Sequence, residues 1–363
     1  MKDTYQAHEL PTGQGLTSDR FIVQPDDPIL ITGAAGFIGA RVVERLAHLG
    51  FRNLVCFTRP SSQRSRLESV MRLHPNAKIE VICGNLLSRE ECEQACRGVA
   101  LIFQLAAGTG EKSVPDAFMN SVVTTRNLLD AALHQGSLRR FVLVSSFAVY
   151  SNRQRSRCLN EDSPVEDHPE RLGDAYCYAK VRQEQLVKSY ADSHNLPYVI
   201  VRPGSVYGPG KTELTGRVGL GTFGVFLHLG GSNRIPFTYV DNCADAIALA
   251  GLVSGAEGEV FNIVDDQLPS SREFLRMYKR NAGQFRSIYV PRSASYALCY
   301  LWEKYSEWSG GQLPPAYTRR QWYSQWRKTR FSNQKLKNRL GWAPQVSTAE
   351  GLRSFFAAQR QDG

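Results

Sequence analysis

The chain has 363 residues, 42% hydrophobic and 21% charged, with 44 Lys/Arg against 34 Asp/Glu and a formal charge of +10. This composition excludes a disordered chain and suits one large domain or two closely packed ones. No apolar run approaches the ~20 residues that span a bilayer. The basic excess therefore points to an anionic partner: nucleic acid, a membrane surface or a phosphorylated substrate.

The first segment, residues 1–27, is polar and lacks a signal peptide's apolar core. It is expected to be a mobile or loosely docked extension. The eight cysteines are scattered, and Cys92 with Cys96 alone cannot make a zinc site. They suit reduced thiols in a cytoplasmic protein, with no metal expected.

From residue 29 onward, apolar and β-branched runs alternate with helical patterns. Strands are expected at 29–32, 53–58, 78–82, 100–105, 140–145, 198–201 and 259–263, with helices including 37–49, 116–134, 176–194 and 241–254. Nearly continuous hydrophobic runs suit strands covered on both faces. The alternation implies an α/β chain with a doubly wound parallel sheet of Rossmann type, whose ligands bind at the carboxyl ends of the strands.

After the first strand, "TGAAGFIGA" places Gly33, Gly36 and Gly39 between strand and helix. Such glycines permit a tight turn, close approach to a pyrophosphate and close helix packing. The spacing alone also suits an ordinary glycine-rich turn. The second strand leads into Thr58 and Arg59, with Arg64 and Arg66 behind. A base without an acid favours the 2′-phosphate of NADP over the free ribose of NAD. After the third strand Asn85 is a candidate for the adenine edge. After the fourth, "AAGTG" offers small residues where a dinucleotide would pass, and the fifth leads to Ser145 and Ser146.

The stretch "DAYCYAKVRQEQL" holds two tyrosines before a lysine. Tyr176 and Lys180 are i,i+4 and share a helical face; Tyr178 points elsewhere. A phenol titrates near ~10. A neighbouring ammonium is expected to draw it toward neutral pH and fit it for acid–base work.

Taken together, "TGAAGFIG", "FQLAA", "VSSFAVY", "YCYAK", "VRPGSVYGPG", "FTYVDNCADAI" and "LGWAPQVSTAEGL" resemble the extended short-chain dehydrogenase/reductase family, in its nucleotide-sugar epimerase and dehydratase branch. The matches span about residues 29–353. The resemblance implies Ser146, Tyr176 and Lys180 as the catalytic set. It implies cofactor contacts at Gly33, Gly36, Phe37, Ile38, Gly39, Thr58, Arg59, Asn85, Leu86, Ala106, Ala107, Tyr176, Lys180, Pro203 and Val206. It also implies substrate contacts at Ser146, Tyr207, Lys211, Arg217 and Arg234, the last matching an arginine that meets the diphosphate of nucleotide sugars. Gln104 and Asn85 depart from the family's usual His and Asp. A homodimer through helices 116–134 and 176–194 is a further expectation of the resemblance.

Family members that eliminate water carry Asp-Glu after the catalytic Ser/Thr, and those that decarboxylate sugar acids carry a glutamate there. Phe147 and Ala148 occupy these positions. The expected activity is therefore that of an NAD(P)-dependent nucleoside-diphosphate-sugar epimerase or reductase. The alternatives are a hydroxysteroid-dehydrogenase-like or dihydroflavonol-reductase-like NADP-dependent oxidoreductase, which "FTYVDN" and the "TR" after the second strand also suit, and a non-catalytic scaffold.

Residues 28–203 and 241–264 are expected to form the dinucleotide-binding domain, and 204–240 with 265–363 a smaller substrate-binding lobe. In that lobe Ala294, Ala297, Leu298, Leu301, Tyr305 and Trp308 fall on one helical stripe. From Tyr317 to Arg339 there are eight Lys/Arg and no Asp or Glu. The stripe is expected to pack inside the lobe and the cations to meet phosphates or solvent. A peripheral membrane contact is the other reading, and no nucleic-acid partner is expected.

Overall fold

The computed structural model describes residues 20–362, apart from 109–112, 152–156, 172–173, 212–213, 223 and 310–317. All seven expected strands form: β1 Ile29–Thr32, β2 Asn53–Thr58, β3 Lys78–Cys83, β4 Leu101–Gln104, β5 Arg140–Val144, β6 Tyr198–Pro203 and β7 Val260–Ile263. They make one parallel sheet in the order 3-2-1-4-5-6-7. β1 pairs with β2 on one side (Ile29 opposite Leu54) and β4 on the other (Ile29 opposite Leu101). Chain connections leave in opposite directions there, which opens a crevice at the strand ends.

Strand residues alternate between two buried layers. Ile29 and Ile31 join Val42 and Leu46 of α1 (Gly39–His48) and Ile247 of α6 (Val240–Leu252). Leu30 faces the opposite way, to Leu128 of α4 (Thr124–Gln135) and Val187 of α5 (Ala175–His194). α2 (Ser65–Leu73) and α3 (Arg89–Ala95) complete the two layers. All of α6 is buried: most of its length packs in the layer of Val42 and Leu46, and Val240 at its start joins the cluster of Tyr207 and Phe237.

The second lobe contains a small sheet of Gly219–Thr222, Val225–His228 and Ser287–Tyr289. Its helices are α7 (Ser271–Asn281), α8 (Arg292–Trp308), α9 (Arg319–Trp326) and α11 (Thr348–Asp362). Tyr207, Phe237, Tyr239, Phe274, Phe355 and Phe356 form its aromatic core.

Two placements differ from the sequence reading. Residues 1–19 of the expected extension lie outside the described residues, but the stretch from Phe21 to Val23 is docked on the domain. Ile22 N donates to Leu252 O (2.9 Å), Phe21 bridges Val253, and Val23 is buried. Within the C-terminal segment, α10 (Gln334–Leu340) sends Leu336 and Leu340 into the core around α6 rather than into the substrate lobe, and Trp342 joins them there.

Candidate active site

The floor of the crevice is fixed where β1 and β4 end. Thr32 Oγ1 donates to Gln104 Oε1 (2.5 Å) and accepts from Leu105 N (3.2 Å) and Ala106 N (3.1 Å). Gln104 Nε2 donates to Ala106 O and Thr125 Oγ1, each at 3.2 Å. Gln104, where His is usual, is thus a buried fastener beneath the cleft. Against this floor Gly33 takes φ +67°, and a Cβ there would stand 3.0 Å from Ala106 N. A Cβ on Gly39 would stand 2.1 Å from Gly33 O, so the turn and the first residue of α1 touch backbone to backbone.

A cleft of about 750 Å³ runs along the carboxyl edge of the sheet. At one end it is lined by Gly33, Gly36, Phe37, Ile38, Gly39, Thr58, Arg59, Asn85, Leu86, Ala106 and Ala107. At the other it is lined by Ser146, Tyr176, Lys180, Pro203, Val206, Tyr207 and Lys211, together with Ser205, Leu214, Thr215 and Gly216. Asn85 Oδ1 accepts from Leu87 N (3.0 Å), so its carbonyl serves the local turn.

Two expected substrate residues do not line this cleft. Arg234 is exposed; its Nη1 donates to Leu268 O at 2.7 Å and lies 3.4 Å from Glu273. Arg217 Nη1 donates to Ser324 O (3.0 Å), and its guanidinium lies 6.0 Å from the Phe331 ring. Burial pushes that guanidinium down to about 10. Arg66, placed behind Arg59 in the sequence reading, instead reaches across the cleft mouth. Its Nη2 lies 3.5 Å from Gly210 O, and it shares the Phe37 ring with Lys211, each 5.8 Å from the centroid.

The reactive end is organised by the start of α5. Asp174 caps the helix by accepting from Cys177 N (3.0 Å). Tyr176 is thereby presented to the cleft in its first turn, with Lys180 one turn further along. Ser146 lines the cleft beside the Tyr176 phenol and acts on its titration, and Ser146 Oγ accepts from Ala148 N (3.2 Å). Tyr178 turns away: it packs against Phe118 (6.5 Å) and lies under the Arg182 guanidinium (5.5 Å).

Burial raises the Tyr176 phenol above its ordinary 10.0, and Ser146 opposes that rise. The expected downward pull of an ammonium does not govern this arrangement. Lys180 is buried, its Nζ donates to Val144 O (2.8 Å), and burial depresses it to about 8 against the opposing pull of Glu184.

Behind Lys180 lies a network that sequence reasoning missed. Glu184 accepts from Ser145 Oγ (2.6 Å), from Arg202 Nε (2.8 Å) and from Arg202 Nη2 (2.6 Å). The Arg202 guanidinium lies 4.7 Å from the centre of the Tyr150 ring, and Tyr150 OH donates to Asn262 Oδ1 (2.6 Å). The signal was present: Glu184 stands at i+4 from Lys180 on the same helical face.

The model of the NAD dependent epimerase/dehydratase family matches residues 29–264. The chain belongs to this family. Among curated family relatives, the 3beta-hydroxysteroid-dehydrogenase/decarboxylase isoform 1 of Arabidopsis thaliana is 26% identical, over 92% of this chain and 81% of that protein. The UDP-glucose 4-epimerase of Mycolicibacterium smegmatis is 28% identical, over 89% of this chain and 95% of that protein. In fold, the chain is like the UDP-glucuronic acid 4-epimerase from Bacillus cereus in complex with NAD. That match has a TM-score of 0.68 and 22% identity, and covers 92% of this chain and 97% of the other.

Membership of the NAD dependent epimerase/dehydratase family makes this chain an enzyme of the extended short-chain dehydrogenase/reductase type. The residues present fit the family's dinucleotide. A Cβ on Gly36 would meet Gly33 O and nothing else within 4 Å, so the loop leaves open space before the N-terminus of α1. A pyrophosphate suits such a place.

Proposed function

We propose that the protein is an NAD(P)-dependent nucleoside-diphosphate-sugar epimerase or reductase acting at a secondary alcohol carbon, with Tyr176 as acid/base. The observation that carries this reading is that Ser146, Tyr176 and, one helical turn further, Lys180 line the same cleft as the glycine turn. The bound dinucleotide supplies the hydride acceptor and donor. Tyr176 takes the proton of the substrate hydroxyl once it has lost its own, which the positive charge of the oxidised dinucleotide would favour. The carbon–hydrogen bond breaks with its electron pair leaving as hydride, and the carbonyl forms. Ser146 holds the hydroxyl and then the carbonyl oxygen in place. Lys180 holds the nicotinamide ribose.

Phe147 and Ala148 beside Ser146 carry no titratable group, which leaves oxidation–reduction without dehydration. Return of hydride to the opposite face of the carbonyl gives an epimer, and release of the keto product gives net oxidation. Arg59 at the mouth of the cleft and the absence of an acid after β2 support NADP as the preferred dinucleotide.

The nucleotide-sugar class draws its support from the epimerase relative of nearly equal length and from Lys211 on the cleft wall. A second reading, a hydroxysteroid- or dihydroflavonol-type alcohol as substrate, is favoured by one observation. Arg217 and Arg234 both lie off the cleft, leaving Lys211 and the buried Lys180 as the cations that line its described substrate end. Calorimetric titration with UDP-sugars, alongside turnover of steroid and small secondary alcohols, separates the two. Binding of a UDP-sugar that competes with turnover supports the first. Turnover of uncharged alcohols without UDP-sugar binding sinks it in favour of the second.

A further inference from the structure

Helix α8 is turned against its own hydrophobic pattern. The apolar stripe Ala294, Ala297, Leu298, Leu301, Tyr305 and Trp308 is exposed throughout. Leu298 is 55% accessible, Leu301 61%, Tyr305 49% and Trp308 81%. The buried positions of this helix are instead Ser295, Cys299 and Ser306. This orientation is held from beneath by α9: Trp322 Nε1 donates to Ser295 Oγ (2.8 Å), and Trp322 packs with Cys299. The strand leading into α8 exposes Ile288 and Tyr289 as well.

The chain's charge excess is concentrated in the stretch of sequence that contains this helix. Residues 272–330 carry twelve Lys/Arg and three Asp/Glu, close to the whole imbalance of the protein. The acids are held locally. Glu303 pairs with Arg319 (2.7 Å), Glu307 with Lys304 (2.6 Å), and Glu273 closes the cap of α7. Arg286, Lys328 and Arg330 remain exposed.

We propose that α8 lies in the plane of an anionic lipid surface. Leu298, Leu301, Tyr305 and Trp308 enter the boundary of the acyl chains, and the flanking arginines and lysines meet the headgroups. Leucine with tryptophan and tyrosine on one face, bordered by cations, is the chemistry of an interfacial helix. Seventeen residues that include charged groups lie on a bilayer rather than cross it, and no described helix is long and apolar enough to cross. A second copy fits this face less well. A two-fold contact through α8 would set one strongly basic segment against its equal. Trp326 of α9 donates from Nε1 to Gly216 O (3.0 Å), which ties the elements under α8 to a residue of the cleft wall. The proposal goes beyond the reaction assigned above and does not depend on it.

The test is flotation of the full chain with vesicles of phosphatidylcholine alone or with about one third phosphatidylglycerol. The expected result is at least about tenfold more protein on the anionic vesicles, weakened by salt. The variant Leu301→Glu/Trp308→Glu should lose that binding while keeping its melting temperature and dinucleotide affinity, since both side chains are exposed. Arg286→Glu/Lys328→Glu should lose the preference for anionic vesicles. No vesicle binding by the parent protein overturns the proposal. So does binding that survives Leu301→Glu/Trp308→Glu, which charge alone would explain and which a nucleic acid would share. A dimer in sedimentation that the same variant dissociates also overturns it, and assigns the face to a second copy.

Discussion

Tyr176 and Ser146 face the same cleft, and Ser146 draws the Tyr176 titration down, although one opens a helix and the other succeeds a strand in a separate part of the chain. The strand end fixes the serine backbone and the Asp174 cap fixes the tyrosine. In the function proposed above, the phenol would receive a proton from a hydroxyl held by Ser146.

Replacing Tyr176 by Phe removes the proton acceptor while keeping the ring. Turnover of an identified substrate should fall by roughly 10²–10⁴-fold, with dinucleotide affinity changed little. Tyr178→Phe should stay near the parent rate, because that ring packs on Phe118. Steady-state kinetics of the two variants check this, and equal losses would contradict the assignment.

Lys180 carries a cost in stability. Its folded pKa of about 8 lies below its ordinary 10.5, so between those values the unfolded chain binds more protons than the folded one. Its contribution to stability therefore rises with pH from about 8 to 10.5 and is at its most unfavourable below 8. Lys180→Met should abolish turnover yet raise the stability of the dinucleotide-free protein at pH 7, by up to about 3 kcal/mol. The difference between parent and variant should shrink as pH climbs through that window, read by denaturant unfolding at several pH values.

The Glu184–Arg202 pair is almost fully buried. Arg202→Met leaves Glu184 uncompensated and should cost about 3–5 kcal/mol, whereas the double replacement Glu184→Met/Arg202→Met should cost less than the sum of the singles. Chemical denaturation of the four proteins measures the coupling. Glu184→Gln also removes the carboxylate that holds the Lys180 ammonium up, and should lower its titration below about 8.

Arg59→Ala should weaken NADP binding by more than it weakens NAD binding, because a guanidinium contributes to a 2′-phosphate and little to a free ribose. Fluorescence titration with each dinucleotide reads the ratio. An unchanged ratio with an equal loss for Arg66→Ala would move the role to Arg66, which bridges the cleft mouth to Gly210.

The sheet was legible because its strands are short, bounded apolar runs, and seven such runs can be ordered by their connections. That Tyr176 and Lys180 would share one cleft was legible because i,i+4 spacing fixes them on one helical face whatever the tertiary context. Arg234 was read by its distance from Asp241 along the chain. The backbone between them includes Pro236 and turns the side chain to Leu268 O instead. For α8 the 3.6-residue period revealed an apolar stripe, but periodicity defines a face without saying what covers it. The small Ser295, Cys299 and Ser306 let α9 approach closely on the other side.

The position of Trp342 has a consequence for what a truncated chain would expose. Trp342 Nε1 donates to Asn242 O (3.2 Å). The Asn242 side chain in turn accepts from Gln345 N (3.0 Å) and Val346 N (2.9 Å), and donates to Val346 O (2.8 Å). With Leu336 and Leu340, these contacts cover the apolar flank of α6. The parallel sheet and its helix thus take one wall from a segment about 80 residues beyond α6 in the chain. A variant truncated before Gln334 would leave that flank of α6 uncovered, a species prone to aggregation.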